Sequence, residues 1–145
     1  MDADRLLQQT QRFFAVEANN TAWQVIDPPG DPIDALERAW ASLYHWRAAG
    51  TGLNVARAHG TVSRAYVVAG EPKLALQHAG LYAKEQGTEG WEDWDTYFVH
   101  SVRARALTLL GDDQAEAEKA AAKSLADGLE SEDRKICLAD WNSIP

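Results

Sequence analysis

The sequence has only one cysteine and no long apolar run, and its basic side chains are fewer than its acidic ones. Cys137 is the single cysteine of 145 residues, so an internal disulfide is excluded, which favours a reducing, cytoplasmic location. No apolar run approaches the about 20 residues that a membrane-spanning helix needs. Residues 1–14 lack the apolar segment of a signal peptide. We therefore predict one cytoplasmic domain with no membrane partner.

Sequence motifs for catalysis and cofactor binding are also missing. The chain has no GxGxxG or phosphate-binding loop, no GxSxG elbow and no glutamate with a histidine three residues later. No cysteine and histidine spacing suits structural zinc. We therefore predict a protein that is not an enzyme and that binds neither a cofactor nor a metal ion.

The charge balance argues against nucleic acid as a partner. Fourteen lysines and arginines stand against 22 acidic side chains, which gives a formal net charge of −8. Binding to a phosphate backbone needs a basic face. We therefore expect no nucleic-acid partner.

A helical hairpin hinged at a glycine is the clearest pattern that is present, and it spans residues 57–87. Gly70 closes an apolar run, and Glu71 and Pro72 follow it. Glycine can take the left-handed conformation that ends a helix, and proline fits the first turn of the next one. The pattern therefore predicts two helices joined at Gly70.

The hinge recurs along the chain at Gly30 and Gly111, so that the three glycines are 40 and 41 residues apart. Such a period predicts an α-solenoid built from repeated hairpins. We predict an all-α fold with hairpins over residues 3–49, 52–87 and 91–128 and a capping helix over 131–141. The predicted helices cover residues 3–18 and 22–26 with a break at 19–21, then 32–49, 53–69, 72–86, 91–110, 112–127 and 131–140.

Within this period, a small residue is followed three positions later by an aromatic or apolar residue, and a glycine stands four positions beyond that. An alanine comes five positions after the glycine in the second copy and one position earlier, at four, in the third. The pattern resembles the tetratricopeptide repeat, and it covers about residues 15–128. The resemblance implies a right-handed α-α superhelix of about three helix–turn–helix repeats. The matching positions are Ser63, Tyr66, Gly70 and Ala75 in the second copy and Ala104, Leu107, Gly111 and Ala115 in the third.

The resemblance also implies a concave groove, lined by the residue that follows each small position. That residue is Arg64 in the second copy and Arg105 in the third, and Arg57 lies two helical turns before Arg64. A guanidinium group binds a carboxylate or a phosphate through two parallel hydrogen bonds. The alternative is an internal pairing of these arginines with acids of the chain, such as Asp95 or Glu71. The expected neighbours in the groove are Val67, Phe98 and Ser101.

Two histidines, His59 and His100, occupy equivalent positions in successive repeats, where the family usually has a tryptophan. One helix spacing places them about 10 Å apart. They either pack as partly buried side chains or form a ligand-binding or proton-linked pair. At this separation they do not share a metal ion directly.

Tryptophan is abundant, with six residues in the chain. Trp40 falls on an apolar stripe of helix 32–49, and we predict that this stripe faces the core. Trp91 and Trp94 stand at the start of helix 91–110, where they either pack the turn or edge the groove. The predicted inner stripe of helix 32–49 comprises Ile33, Leu36, Trp40 and Leu43.

These patterns together predict a non-catalytic protein-interaction module. A peptide or a partner helix would occupy the groove, and the arginines would hold an acidic group of that partner. One alternative is a structural protein that forms a homo-oligomer through its tryptophan-rich ends or its last helix. The other is a small-molecule binder or an enzyme that uses His59 and His100.

Overall fold

The computed structural model describes residues 2–145, which form seven α-helices and no strand. The all-α prediction is confirmed. None of the seven helices is both long enough and apolar enough to cross a membrane. The helices are α1 (Ala3–Ile26), α2 (Pro32–Ala49), α3 (Gly52–Val68), α4 (Pro72–Ala83), α5 (Asp93–Leu110), α6 (Ala115–Asp127) and α7 (Ser131–Asn142).

Helices that follow each other in the chain pack against each other, and the most extensive contacts join α1 to α2, α3 to α4 and α5 to α6. A second set of contacts joins α1 to α3, α3 to α5 and α5 to α7. The backbones of the even-numbered helices lie farther apart, and α2 meets α4 through the side chains of Trp40 and His78, whose ring centres are 5.2 Å apart. The odd-numbered helices therefore form one continuous row, which we call the odd-helix row. Helix α3 lies between α1 and α5 in this row and carries four of the predicted site residues, namely Arg57, His59, Arg64 and Val67.

The loops after α3 and α5 have the same glycine geometry. Gly70 and Gly111 adopt left-handed φ angles of 72° and 66°. The next N–H group in each case bonds back to a helix carbonyl, from Glu71 to Tyr66 at 2.9 Å and from Asp112 to Leu107 at 3.0 Å. These two hinges match the prediction, because this bonding needs a residue that tolerates a positive φ.

The first hinge is built differently. Gly30 has no left-handed φ, and its N–H group donates to the carbonyl of Val25 at 2.6 Å. A Cβ atom at Gly30 would lie 2.9 Å from the Val25 side chain. Close approach to the end of α1, rather than a left-handed conformation, therefore favours glycine here.

The predicted break at residues 19–21 is wrong, because α1 continues through it. The polar side chains at this point have hydrogen-bond partners that do not compete with the helix. Asn19 accepts a bond from the Thr61 hydroxyl on α3 at 2.8 Å, and Thr21 donates to the carbonyl of Glu17 at 3.0 Å. Helix α4 ends at Ala83, three residues before the predicted end.

Small residues, rather than the predicted large ones, form the core stripe of α2. Ile33 is 66% exposed and Trp40 is 37% exposed, so their assignment to the inner face was wrong, whereas Leu43 is buried. Ala35 and Ala39 are fully buried instead, which allows α2 to approach its neighbours closely. The equivalents of Ala35 at a spacing of 40 residues are Ala75 and Ala115, both buried.

Helix α7 packs against α5 and α6 at the end of the row. Its N-cap residue is Glu130, so Ser131 is the first helical residue rather than the predicted cap. The side chain of Cys137, on α7 itself, is buried in a cluster with Tyr97 of α5 and Ala122 of α6. The Trp141 indole N–H donates to the carbonyl of Lys119 at 2.9 Å.

Candidate functional site

Two cavities open on the odd-helix row. The first, which we call the aromatic cavity, has a volume of about 260 Å³ and lies between α1, α3 and α5. The second, which we call the distal cavity, has a volume of about 350 Å³ and includes residues near the end of the chain. Arg64 lines both. Of the predicted groove residues, Arg57 and Phe98 line the aromatic cavity, and Val67 and Arg105 line the distal cavity.

The aromatic cavity has large ring systems on two sides. Trp23 of α1 lies on one side, and Trp94 and Phe98 of α5 lie on the other. Each of the two arginines in this cavity lies over a tryptophan ring: Arg57 is 4.5 Å from the centre of Trp94, and Arg64 is 5.4 Å from the centre of Trp23. The cavity therefore combines apolar walls with cations that face their rings.

Arg57 is held by an acid of the chain itself. Its Nε and Nη2 atoms donate to the two carboxylate oxygens of Asp95 at 3.0 and 2.9 Å, and Nη2 also donates to the carbonyl of Gly90 at 3.2 Å. The hydrogen bond to Asp95 is the main cause of the raised pKa of Arg57. The structure thus places Arg57 in the internal pairing that the sequence offered as the alternative.

Asp95 is fully buried and lies at the centre of a complete hydrogen-bond cluster. Besides Arg57, it accepts the Tyr82 hydroxyl at 2.5 Å and the backbone N–H of Glu92 at 2.9 Å. Burial, followed by the bond to Asp95, raises the pKa of Tyr82 well above its usual range. Gly60 allows this packing, since a Cβ atom there would lie 2.6 Å from the Tyr82 ring.

Arg105 and Ser101 face Asp140 of α7, a residue that no pattern in the sequence singled out. Asp140 accepts the Ser101 hydroxyl at 2.6 Å and the Tyr97 hydroxyl at 2.8 Å. Arg105 Nη2 lies 3.0 Å from Asp140 Oδ1 and 2.7 Å from the Ser143 hydroxyl oxygen. Ser101 is therefore buried beneath α7 instead of lining either cavity. The sequence predicted a capping helix here, but it did not predict that Asp140 on that helix would pair with Arg105.

Arg64 differs from the other two arginines, because its guanidinium makes no hydrogen bond to any of residues 2–145. Only 4% of the residue is exposed, and both Nε and Nη1 are buried without a hydrogen-bond partner. The closest carboxylate oxygen, Oδ1 of Asp140, is 3.7 Å from Nη1. Burial, and then the charge of Arg105, lowers the pKa of Arg64 to about 10, so the group remains charged at neutral pH.

The two histidines of the alternative hypothesis are paired with different partners, each on an even-numbered helix. His59 Nδ1 is 2.9 Å from Nδ1 of His78 on α4, and His100 Nδ1 is 2.5 Å from a carboxylate oxygen of Glu118 on α6. Burial, and then the neighbouring charges of His78 and Arg47, lowers the pKa of His59 to about 4. The structure therefore brings neither histidine into a shared site with the other.

Metal-ligating side chains are not clustered in the part of the chain that the structure describes. Residues 2–145 contain no group of three or more histidine, cysteine, aspartate or glutamate side chains that could hold a metal ion. His59 and His78 form only a pair, in which the two Nδ1 atoms lie 2.9 Å apart.

Comparison with protein-family models, with curated proteins and with solved structures finds no match. The chemistry of the odd-helix row is therefore the basis for a functional proposal. This row offers a buried cation without hydrogen-bond acceptors, next to two cavities with largely apolar walls.

Proposed function

We propose that this chain is a non-catalytic, cytoplasmic protein-interaction module of tetratricopeptide-like architecture. In this proposal α1 to α6 form three hairpins of a right-handed superhelix, and α7 caps its end. The left-handed glycines 41 residues apart support a repeated hairpin, as do the buried alanines 40 residues apart. The contacts that join successive odd-numbered helices are those expected of stacked repeats.

The odd-helix row would receive a peptide or a partner helix. Both cavities open on this row, and they share Arg64 as part of their walls. Apolar side chains of the partner would enter the cavities, and an acidic group would approach the guanidinium between them. Recognition of this kind combines apolar anchors with a charge-assisted bond that fixes their position.

The observation that carries this proposal is the buried guanidinium of Arg64, which has a carboxylate 3.7 Å away but no hydrogen bond. A buried polar group without a partner costs about 1–3 kcal/mol, and a charged group costs more. A carboxylate from a partner would remove that cost, because it accepts two parallel N–H bonds from one guanidinium. Arg57 contributes less, since Asp95 already occupies its Nε and Nη2.

The test is a pull-down from native cell extract at low and at high salt, with wild type, Arg64→Met and Arg38→Met. Arg38 is a matched control, because it is a half-exposed arginine of α2 that forms an ion pair with Asp34 outside both cavities. We expect a partner that wild type and Arg38→Met retain and that Arg64→Met loses. A specific partner that Arg64→Met also retains would show that the assignment of this face is wrong.

The first half of α1 favours self-association as a second candidate function. Leu6, Leu7, Phe13 and Phe14 are between 46% and 64% exposed along this helix. Exposed apolar patches of this kind often mark protein interfaces. We expect light scattering at high protein concentration to show a dimer or larger species, and Phe13→Gln to weaken it. A monomer throughout the concentration range would exclude this candidate.

A further inference from the structure

The size of the aromatic cavity limits what it can hold. Its volume of about 260 Å³ lies just below the range of about 300–1,000 Å³ that is typical of small-molecule pockets. A cavity of this size accommodates one side chain, whereas a stretch of backbone with several side chains would have to lie outside it.

The walls of the cavity favour a flat apolar group. Trp23 and Trp94 belong to helices on opposite sides of α3, and Phe98 and Val102 add further apolar surface. Aromatic rings pack well in edge-to-face and offset geometries, as Trp94 and Phe98 do at a distance of 6.3 Å. An aromatic ring is therefore the side chain that these walls suit best.

The cavity is also held open by contacts within the chain. The pair of Arg57 and Asp95 fixes the position of Trp94, since the Arg57 guanidinium lies over its ring. The Tyr82 hydroxyl bonds to the same carboxylate, so this wall is joined to α4. Preorganised walls reduce the entropy that a ligand loses on binding.

The charges around the cavity are suited to one anion. Arg64 has no hydrogen bond within residues 2–145, whereas two nitrogens of Arg57 are bonded to Asp95. The chain as a whole carries a net charge of −8, which repels a partner with many acidic residues. A single carboxylate gains the contact with Arg64 and adds little to this repulsion.

We propose that the aromatic cavity holds one aromatic side chain of the partner, and that a single carboxylate next to that ring binds Arg64. This inference rests on the proposed function and specifies the anchor residue at the same site. The partner would therefore carry an aromatic residue beside one acidic residue, and not a run of acidic residues.

The first experiment uses three small probes, namely phenylacetate, phenylacetamide and acetate. Phenylacetate has both the ring and the charge, phenylacetamide has the same shape without the charge, and acetate has only the carboxylate. We expect phenylacetate to bind at least about tenfold more tightly than either of the others, since a bond to a charged group contributes about 1.5–3 kcal/mol. Equal binding of phenylacetate and its amide would overturn the proposal.

Indole N–H signals in NMR titrations locate the probe without relying on a variant. We expect phenylacetate to shift the signals of Trp23 and Trp94, which line the cavity, and to leave Trp46 and Trp141 unchanged. In Arg64→Met the preference for the acid over the amide disappears, whereas Arg38→Met keeps it. Shifts confined to Trp46 or Trp141, or a preference that survives in Arg64→Met, would contradict the proposal.

Competition in the pull-down separates this inference from the proposed function. Displacement of the partner by phenylacetate, but not by the amide, supports both. A partner that depends on Arg64 and that phenylacetate does not displace overturns the aromatic anchor and leaves the interaction module standing. Phenylacetate binding at the cavity with no protein partner identifies a free aromatic acid as the ligand, and overturns the proposed function and the anchor together.

Discussion

Arg57 and Arg64 lie two turns apart on the same face of α3, yet their surroundings are opposite. Arg57 is about one-third exposed and donates two hydrogen bonds to a buried carboxylate. Arg64 is almost completely buried and donates none within residues 2–145. Arg57, the arginine with more hydrogen bonds to the chain, is thus also the one that water can reach. The difference separates an arginine that an internal acid holds from one whose guanidinium has no hydrogen bond.

The two arginines also differ in what surrounds their acids. Asp95 receives bonds from Arg57, Tyr82 and the Glu92 backbone, so the negative charge next to Arg57 is fully satisfied. Near Arg64, the carboxylate of Asp140 is instead shared with the Tyr97 and Ser101 hydroxyls and with Arg105. Arg64 is therefore the group left without an acceptor.

The largest effect is expected from Asp95→Ala, which removes the centre of the satisfied cluster. The change leaves the Tyr82 hydroxyl and the Glu92 N–H without acceptors and releases Arg57. We expect the free energy of unfolding to fall by about 4 kcal/mol, as when one member of a buried pair is removed. Urea denaturation measures this loss. A loss below about 1 kcal/mol would mean that the cluster is not a structural element.

Arg57→Met tests the same cluster from its more exposed side. Asp95 keeps its bonds from Tyr82 and Glu92, but its buried charge loses the neighbouring cation. We expect a loss of about 2 kcal/mol, less than for a fully buried pair because Arg57 is partly solvated. Urea midpoints of this variant and of Arg38→Met provide the comparison. A variant as stable as wild type would remove the distinction between Arg57 and Arg64.

The buried pair of His59 and His78 can be compared with these arginines, because burial lowers the pKa of both histidines and so favours their neutral form. The unfolded-state pKa of His59 is about 6.5 and its folded-state value is about 4, so the unfolded chain binds the proton first as the pH falls. Stability present above pH 6.5 is therefore lost between about pH 6.5 and pH 4. We expect wild type to lose about 1.5 kcal/mol more than His59→Gln between pH 7 and pH 4.5.

Denaturant unfolding at several pH values measures this difference. His45→Gln is the control, since His45 lies outside the pair and contacts Gln11 instead. Identical pH profiles for wild type and His59→Gln would show that the pair is not linked to acid stability.

The smallest effect, and the one of opposite sign, is expected for Arg64→Met. Methionine keeps the apolar body that packs against Trp23, and it removes a buried charge without hydrogen bonds. We expect stability to be unchanged or to rise by up to about 1 kcal/mol, because replacing such a charge with an apolar group is often neutral or stabilising. Urea denaturation beside Arg57→Met checks the sign. A loss above about 2 kcal/mol would show that Arg64 is structural.

Local signals predicted the hinges at Gly70 and Gly111 correctly, whereas the polar run at residues 19–21 predicted a break that α1 does not have. Gly70 and Gly111 end their helices in the left-handed conformation because no other residue type takes it as readily. Tertiary packing, rather than a local signal, determined which face of α2 is buried. The large apolar residues Ile33 and Trp40 predicted the wrong inner face of α2, because the neighbouring helices are close enough to prefer Ala35.

The candidate site was predictable only in part. The position of Arg64 and Arg105 after a small residue predicted two arginines on one face, and the alternative of an Arg57 and Asp95 pair was also visible. The sequence did not identify which arginine would lack a partner. That outcome depends on where α7 places Asp140, and a contact between distant parts of the chain leaves no local pattern.

The position of Arg64 between two cavities has a thermodynamic consequence. An anion in the aromatic cavity and an anion in the distal cavity would each draw on the charge of the same guanidinium. The first to bind would neutralise that charge and so weaken the second, and linkage makes the weakening equal in both directions. Two acidic ligands on this row would therefore bind with negative cooperativity, although they would never touch each other.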